Sequence, residues 1–110
     1  AFHLGTPSSV YAVSQRYGIP IFTVVLDNGG WQAVKEAVLR VYPDGAAFAS
    51  DEFQARLQGS VRQFEKVGEA FGAYGECLHD PDQVDAAIAR CLQALDEGRS
   101  AVLNVQIGLQ

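Results

Sequence analysis

IFTVVLDNGG, residues 21–30, carries the strongest structural signal in the chain. Its first six residues form a short, continuous apolar run that is rich in β-branched side chains. Such a run is typical of a strand that is buried on both faces, as in a parallel sheet. The run stops at Asp27, and Asn28, Gly29 and Gly30 follow it, all of them residues that favour turns. The sequence therefore predicts a buried strand that ends in a tight turn.

A helix is predicted on each side of this stretch. The earlier helix begins at Thr6 and Pro7, which read as N-cap and first helical residue, and it ends at Gly18. The later helix has one apolar face and ends at a turn formed by residues 43–45 (PDG). The residues of that face are Trp31, Val34, Val38 and Val41.

The segment after this turn is the least regular part of the chain. Ser50 is expected to cap a short helix that includes Phe53 and Leu57. A further helix is expected over residues 61–72, where apolar residues return at helical spacing, and a short strand over residues 74–78.

The last third of the chain predicts one more helix and one more strand. Asp80 at the N-cap, Pro81 at the first helical position and Gln83 at the third form a capping box. That helix ends at Gly98, and residues 101–107 (AVLNVQI) form the last strand. Strands that alternate with helices imply βαβ crossovers, so the predicted fold class is α/β, an open parallel sheet with helices on both faces. Because three strands would leave apolar edges, we expect further strands outside this segment.

Composition excludes several functions. The 110 residues allow one domain, and 48% of them are hydrophobic, enough for a core. The net charge of −5 argues against binding to nucleic acid or to an anionic membrane. No apolar run is long enough to span a membrane. Cys77 and Cys91 have neither metal-ligand spacing nor a disulfide pattern, which favours a reducing, cytoplasmic setting.

The turn after the first strand is the strongest candidate for chemistry. Ligands of open α/β sheets bind at the carboxyl ends of strands, and a helix N-terminus attracts phosphate. Gly29 and Gly30 allow close approach of the backbone, while the side chains of Asp27 and Asn28 supply oxygen ligands for Mg²⁺. A plain strand-to-helix turn is the alternative, since Asn and Gly are common in such turns for conformational reasons alone.

Three stretches together resemble a known family. Residues 2–7 (FHLGTP), 19–31 (IPIFTVVLDNGGW) and 64–76 (FEKVGEAFGAYGE) are similar to the C-terminal thiamine diphosphate-binding domain of the acetolactate synthase and benzoylformate decarboxylase group. The resemblance implies that residues 1–110 are part of this pyrophosphate-type domain. On this resemblance, they would start just after the expected Gly-Asp-Gly that opens the family's metal motif.

The resemblance also implies a binding site. Asn28 would bind Mg²⁺ through its side chain and Gly30 through its carbonyl. The other residues expected beside the cofactor diphosphate are Ala1, Phe2, Gly29 and Trp31. Asp27 departs from the family, which has Asn at this position, and its carboxylate would either strengthen cation binding or repel the diphosphate. The motif's own aspartate and the activating glutamate lie outside this segment, so no catalytic residue is assigned here.

The implied protein is a thiamine diphosphate- and Mg²⁺-dependent lyase or transferase that acts on small 2-oxo acids. We expect this segment to need further N-terminal domains of the same chain, to work in a homodimer or homotetramer and to be inactive alone. The alternatives are a non-catalytic α/β module that binds another phosphate ligand, and an oligomerisation module.

Overall fold

The computed structural model describes Phe2, residues 5–53 and residues 62–108. Within these ranges the chain forms five α-helices, a 3-10 turn at Pro81–Gln83 and three strands. The helices are α1 Pro7–Tyr17, α2 Gln32–Val41, α3 Ala46–Ser50, α4 Glu65–Glu69 and α5 Val84–Asp96. The strands are β1 Phe22–Asp27, β2 Tyr74–Leu78 and β3 Ala101–Gln106.

The three strands form one parallel sheet in the order β1-β3-β2. Ala101, the first residue of the central strand, is level with Phe22 on one side and Tyr74 on the other. All three strands therefore point their carboxyl ends at the same edge of the sheet. This is the predicted α/β fold with an open parallel sheet.

One face of the sheet is covered by α5. Ala87, Cys91 and Ala94 of this helix pack against Ala101 and Leu103 of β3, and all five are buried. These helix residues recur at spacings of three and four, which places them on one face of a helix. This apolar stripe is therefore the core contact of α5 with the sheet.

The opposite face is covered by α1 and α4. Tyr11 of α1 and Val102 of β3 are the centre of a second buried cluster. Gly68 lets α4 lie close to the sheet, because a Cβ on this residue would lie 2.5 Å from Val102 Cγ2. Helices thus lie on both faces, as predicted, and β3 is buried from both sides.

Several local predictions are confirmed and others need correction. The helix expected over residues 61–72 is a helix only over Glu65–Glu69, and Asp80 accepts from the Asp82 N–H at the start of a 3-10 turn that precedes α5. Gly18 and Gly98 end their helices with φ values of +64° and +82°. Thr6 precedes α1, but its side chain makes no capping hydrogen bond. Ser50 does not begin a helix; it ends α3, and its hydroxyl donates to the carbonyl of Ala46. The apolar residues around Ser50 cover too few positions to show whether it begins or ends a helix. Leu57 lies outside the described residues.

The apolar face of α2 is not part of the core. No residue of this helix is buried, and Val34 and Val41 are 45% and 65% exposed. Its pattern predicted a helix correctly but could not show what the helix packs against. In the described ranges, no helix combines the length and the apolar character needed to cross a membrane.

Candidate functional site

The loop that joins β1 to α2 lies at the carboxyl edge of the sheet. Asp27 is the last residue of β1 and is level with Gln106, the last residue of β3. Gly29 is buried and has a φ of +84°, a conformation that side-chain-bearing residues rarely adopt. Asn28 Oδ1 accepts a hydrogen bond from the Gly30 N–H at 3.3 Å. The structure therefore brings the predicted loop residues together in one compact turn.

Asp27 is buried beneath this loop, and both its carboxylate oxygens are occupied. Oδ1 accepts from the Gly29 N–H at 3.1 Å. The Arg62 Nε–H lies 2.9 and 2.8 Å from the two oxygens. Gln106 Nε2 also donates to Oδ2, at 3.0 Å. The carboxylate is thus paired with a cation and holds the loop backbone from inside.

A second buried polar group connects Arg62 to the central strand. Asn104 Nδ2 donates to the Arg62 carbonyl at 2.6 Å and to Glu65 Oε2 at 2.8 Å. Asn104 is fully buried, and within the described residues its Oδ1 has no hydrogen-bond partner. The segment before α4 is therefore joined to β1 through Asp27 and to β3 through Asn104.

The sequence did not predict the side chains of this buried polar network, which are Arg62, Glu65, Asn104 and Gln106. A signal for two of them was present, since Asn104 and Gln106 interrupt the otherwise apolar last strand at alternate positions, which places them on one face of the sheet. For Arg62 and Glu65 the sequence gives no comparable signal. They reach the site only because α4 packs across the sheet.

The beginning of α2 offers backbone donors to an anion. Among residues 2, 5–53 and 62–108 no side chain caps this helix, and the Trp31 carbonyl accepts from the N–H groups of Val34 and Lys35. The earlier N–H groups of a helix lack intrahelical acceptors, so they suit phosphate oxygens. Trp31 is 37% exposed at this end of α2. The loop and helix start therefore fit a phosphate ligand by their shape and donors.

Metal binding here would depend on oxygen atoms from the ligand. Asn28 Oδ1 and the Gly30 carbonyl are hard donors of the kind Mg²⁺ prefers. Asp27 is already saturated, and the described part of the chain contains no group of three His, Cys, Asp or Glu that could hold a metal ion. Two neutral protein oxygens fit a cation that also binds a diphosphate, and they are too few to hold it alone.

Two further predicted residues lie at the N-terminus. Ala1 is outside the described residues. Phe2 packs edge-to-face on Phe64, with ring centroids 5.6 Å apart, and contacts the cluster that contains Tyr11 and Val25. Its observed contacts are thus with the core, and its role beside a diphosphate stays a prediction.

Cys77 is the titratable group of β2 nearest this network. Burial raises the pKa of its thiol, and the negative charges of Glu65 and Asp27 raise it further. The side chain of Gln106 opposes this shift through a hydrogen bond. A raised pKa keeps the sulfur protonated at neutral pH, so this cysteine is poorly suited to act as a nucleophile.

Comparisons with known proteins agree with this arrangement at the level of the family. No match was found among curated proteins or solved structures. The family model described as thiamine pyrophosphate enzyme, C-terminal TPP binding domain, matches residues 6–105, which contain the β1–α2 loop, β1, β2 and all but the last residue of β3. The chain therefore belongs to the family of C-terminal thiamine pyrophosphate-binding domains of thiamine pyrophosphate enzymes.

Proposed function

We propose that the loop of residues 27–31 holds the diphosphate of thiamine diphosphate together with Mg²⁺. The observation that carries this proposal is the loop itself, at the carboxyl end of a parallel strand and directly before an uncapped helix. In open α/β sheets this is where ligands bind. The family membership names the ligand, and the neutral oxygens of Asn28 and Gly30 suit a cation that the diphosphate shares.

Different residues of this chain would bind the cation and the phosphate. Asn28 and Gly30 would contribute oxygens to the cation, and the first N–H groups of α2 would donate to the phosphate. Gly29 gives the loop its turn, and Trp31 would shield one side of the bound group. When bound, the cofactor supplies the electron sink for breaking or forming a carbon–carbon bond next to a carbonyl.

We further propose that the whole enzyme acts on small 2-oxo acids as an acetolactate synthase-like or decarboxylase-like lyase or transferase. The resemblance of residues 19–31 and 64–76 supports this narrower assignment. No catalytic side chain is assigned within residues 1–110, and the cytoplasmic setting stays a prediction that rests on the unpaired cysteines, Cys77 and Cys91.

Other parts of the same enzyme are proposed to cover the apolar surfaces near the loop. Val24 and Leu26 of β1 are exposed, as are Val34 and Val41 of α2. Contact with N-terminal domains of the same chain, or with a second subunit of a homodimer or homotetramer, would bury these side chains. Sedimentation of the intact protein would show its subunit number, and a monomer would exclude the second form of contact.

Replacement of Asn28 by Ala tests the binding site. In the intact protein, Asn28→Ala should weaken thiamine diphosphate binding in the presence of Mg²⁺ at least about tenfold, because the cation loses a ligand. Calorimetric titration measures this change. Gln93→Ala is the matched control, since Gln93 is an exposed amide on α5, across the sheet from the loop.

Three outcomes decide between the candidate functions. Loss in Asn28→Ala but not in Gln93→Ala supports the site, whereas equal affinity in all three proteins removes Asn28 from it. If the unsubstituted protein binds inorganic pyrophosphate and not thiamine diphosphate, the alternative of a non-catalytic phosphate-binding module is favoured instead.

A further inference from the structure

Asp27 lies directly beside the proposed diphosphate site, yet it carries a negative charge. The resemblance predicts Asn at this position, and an isolated carboxylate there would repel an anionic ligand. Asp27 is only 3% exposed, and the structure shows why its buried charge is tolerated, since Arg62 donates to both carboxylate oxygens. The side chain of Arg62 in this ion pair is itself only 12% exposed.

We propose that Asp27 and Arg62 act together as positioning residues for the loop. The Asp27 carboxylate fixes the Gly29 turn from beneath, and the Arg62 guanidinium neutralises this carboxylate so that the loop accepts a diphosphate anion. This inference rests on the proposed function and adds to it two side chains that contact neither the cation nor the cofactor.

The hydrogen bonds explain why a carboxylate suits this position. Asp27 accepts from three different donors, namely the Gly29 N–H, Arg62 Nε and Gln106 Nε2. An ionised carboxylate has only acceptor sites, so all three contacts are satisfied. An Asn in its place would direct an NH₂ group at one of these donors, which favours Asp as long as Arg62 is present.

Arg62 is held in place independently of the ion pair. Its carbonyl accepts from the buried amide of Asn104, and Asn104 also binds Glu65 of α4. The guanidinium therefore reaches Asp27 from a backbone that is fixed to the central strand. Because a buried pair is screened little by salt, removal of the cation would leave a strong negative potential under the loop.

The test separates charge from shape by four substitutions in the intact protein. Arg62→Gln strands the carboxylate and should weaken binding of inorganic pyrophosphate and of thiamine diphosphate with Mg²⁺ by at least about tenfold. Arg62→Lys keeps the positive charge without the fixed guanidinium geometry, so its loss of affinity should be smaller than that of Arg62→Gln. Adding Asp27→Asn to Arg62→Gln removes the stranded charge, and the two amides can hydrogen-bond to each other, so most of the lost affinity should return.

Arg90→Gln is the control for loss of an arginine–carboxylate pair. Arg90 of α5 binds Glu76 of β2, on the opposite face of the sheet from Asp27. This substitution should leave both affinities unchanged. A purely structural role of Arg62 makes the opposite prediction for the double substitution, since a second change in the same buried network would lower the affinity further.

Each outcome supports or overturns the proposal. Rescue by the double substitution supports it, while unchanged affinity in Arg62→Gln, or no rescue, overturns it and leaves the proposed function standing. Failure of the unsubstituted protein to bind either ligand overturns both. If Arg62→Gln does not fold, the double substitution decides, because it keeps the charge balanced and a tenfold loss in it would contradict the proposal.

Discussion

Helices α2 and α5 have similar amphipathic patterns and opposite surroundings. Each repeats apolar residues at helical spacing, and each is next to a strand along the chain, since α2 follows β1 and α5 precedes β3. The apolar face of α5 is buried, with Ala87 and Cys91 fully inaccessible, whereas α2 has no buried residue. The same pattern therefore supports the core in one region and leaves an open apolar surface next to the proposed site in the other. An apolar stripe on a helix indicates a surface that packs against a partner, but it does not identify that partner.

The largest difference between the regions should be in stability. Leu103→Ala removes a 2% exposed side chain between β3 and α5 and should lower the free energy of unfolding by about 3 kcal/mol, through lost burial and a cavity. Within residues 1–110 Val34 is 45% exposed, so Val34→Ala on α2 should change it by less than about 0.5 kcal/mol unless another domain or subunit covers α2. Urea unfolding of the intact protein measures both.

A larger effect of Val34→Ala would break the comparison. It would mean that another domain or subunit covers α2 in the intact protein, as proposed above, and the two helices would then differ only in which part of the enzyme buries them.

The second prediction concerns binding and sharpens the contrast between the loop and the rest of the chain. Gly29 has a φ of +84°, so Gly29→Ala forces about 1–2 kcal/mol of backbone strain or a changed turn. Thiamine diphosphate affinity should fall about tenfold, because the bound loop needs this turn. Calorimetry on the intact protein measures the loss.

Gly18→Ala is the matched control for backbone strain. Gly18 has a φ of +64° at the end of α1, and a Cβ there would meet no atom of the described residues within 4 Å. Both alanines should lower stability by similar amounts, and only Gly29→Ala should weaken binding. Equal affinities in the two variants would remove Gly29 from the site.

The smallest effect is expected at the rim of the α5 contact and depends on pH. A hydrogen bond from Arg90 is the main reason that the pKa of Glu76 lies below its usual value of 4.5, and Tyr74 donates to the same carboxylate. A lowered pKa in the folded state stabilises the protein above pH 4.5, and this contribution disappears as the pH falls through the folded pKa.

Arg90→Gln should therefore lower the Tm at neutral pH, and the difference from the unsubstituted protein should shrink below pH 4.5. Thermal unfolding followed at a series of pH values tests this. A Tm difference that stays constant into the acid range would show that Arg90 acts through packing of its side chain and not through the charge of Glu76.

Local signals in the sequence were sufficient for much of the fold. The apolar run before Asp27, the stop at Gly18 and the strand at residues 74–78 are all found where they were predicted. Each of these features depends on neighbouring residues only, through backbone preference or periodicity. The prediction at Ser50 failed because the apolar residues around it cover too few positions to show whether it begins or ends a helix, and its hydroxyl donates to the Ala46 carbonyl.

The candidate site likewise has one part that the sequence could predict and one part that it could not. Asn28, Gly29 and Gly30 could be identified as a ligand-binding turn because their residue types and their place after a strand are visible in the sequence. The buried ion pair could not be identified, since Arg62 follows Asp27 by 35 positions and no periodic pattern connects them. They meet because the segment that leads into α4 lies against the sheet at the end of β1.

The sequence by itself determined the alternation of strands and helices, the parallel sheet and the position of the loop, since propensity, periodicity and turn chemistry act over a few residues. Only the tertiary structure decided which helix buries its apolar face and which does not. It also decided that Asp27 is neutralised from beneath, with Arg62, Gln106 and the Gly29 N–H around one carboxylate. The physical reason is that packing brings together residues distant in the chain, and a buried charge is stable only where such packing supplies its partner.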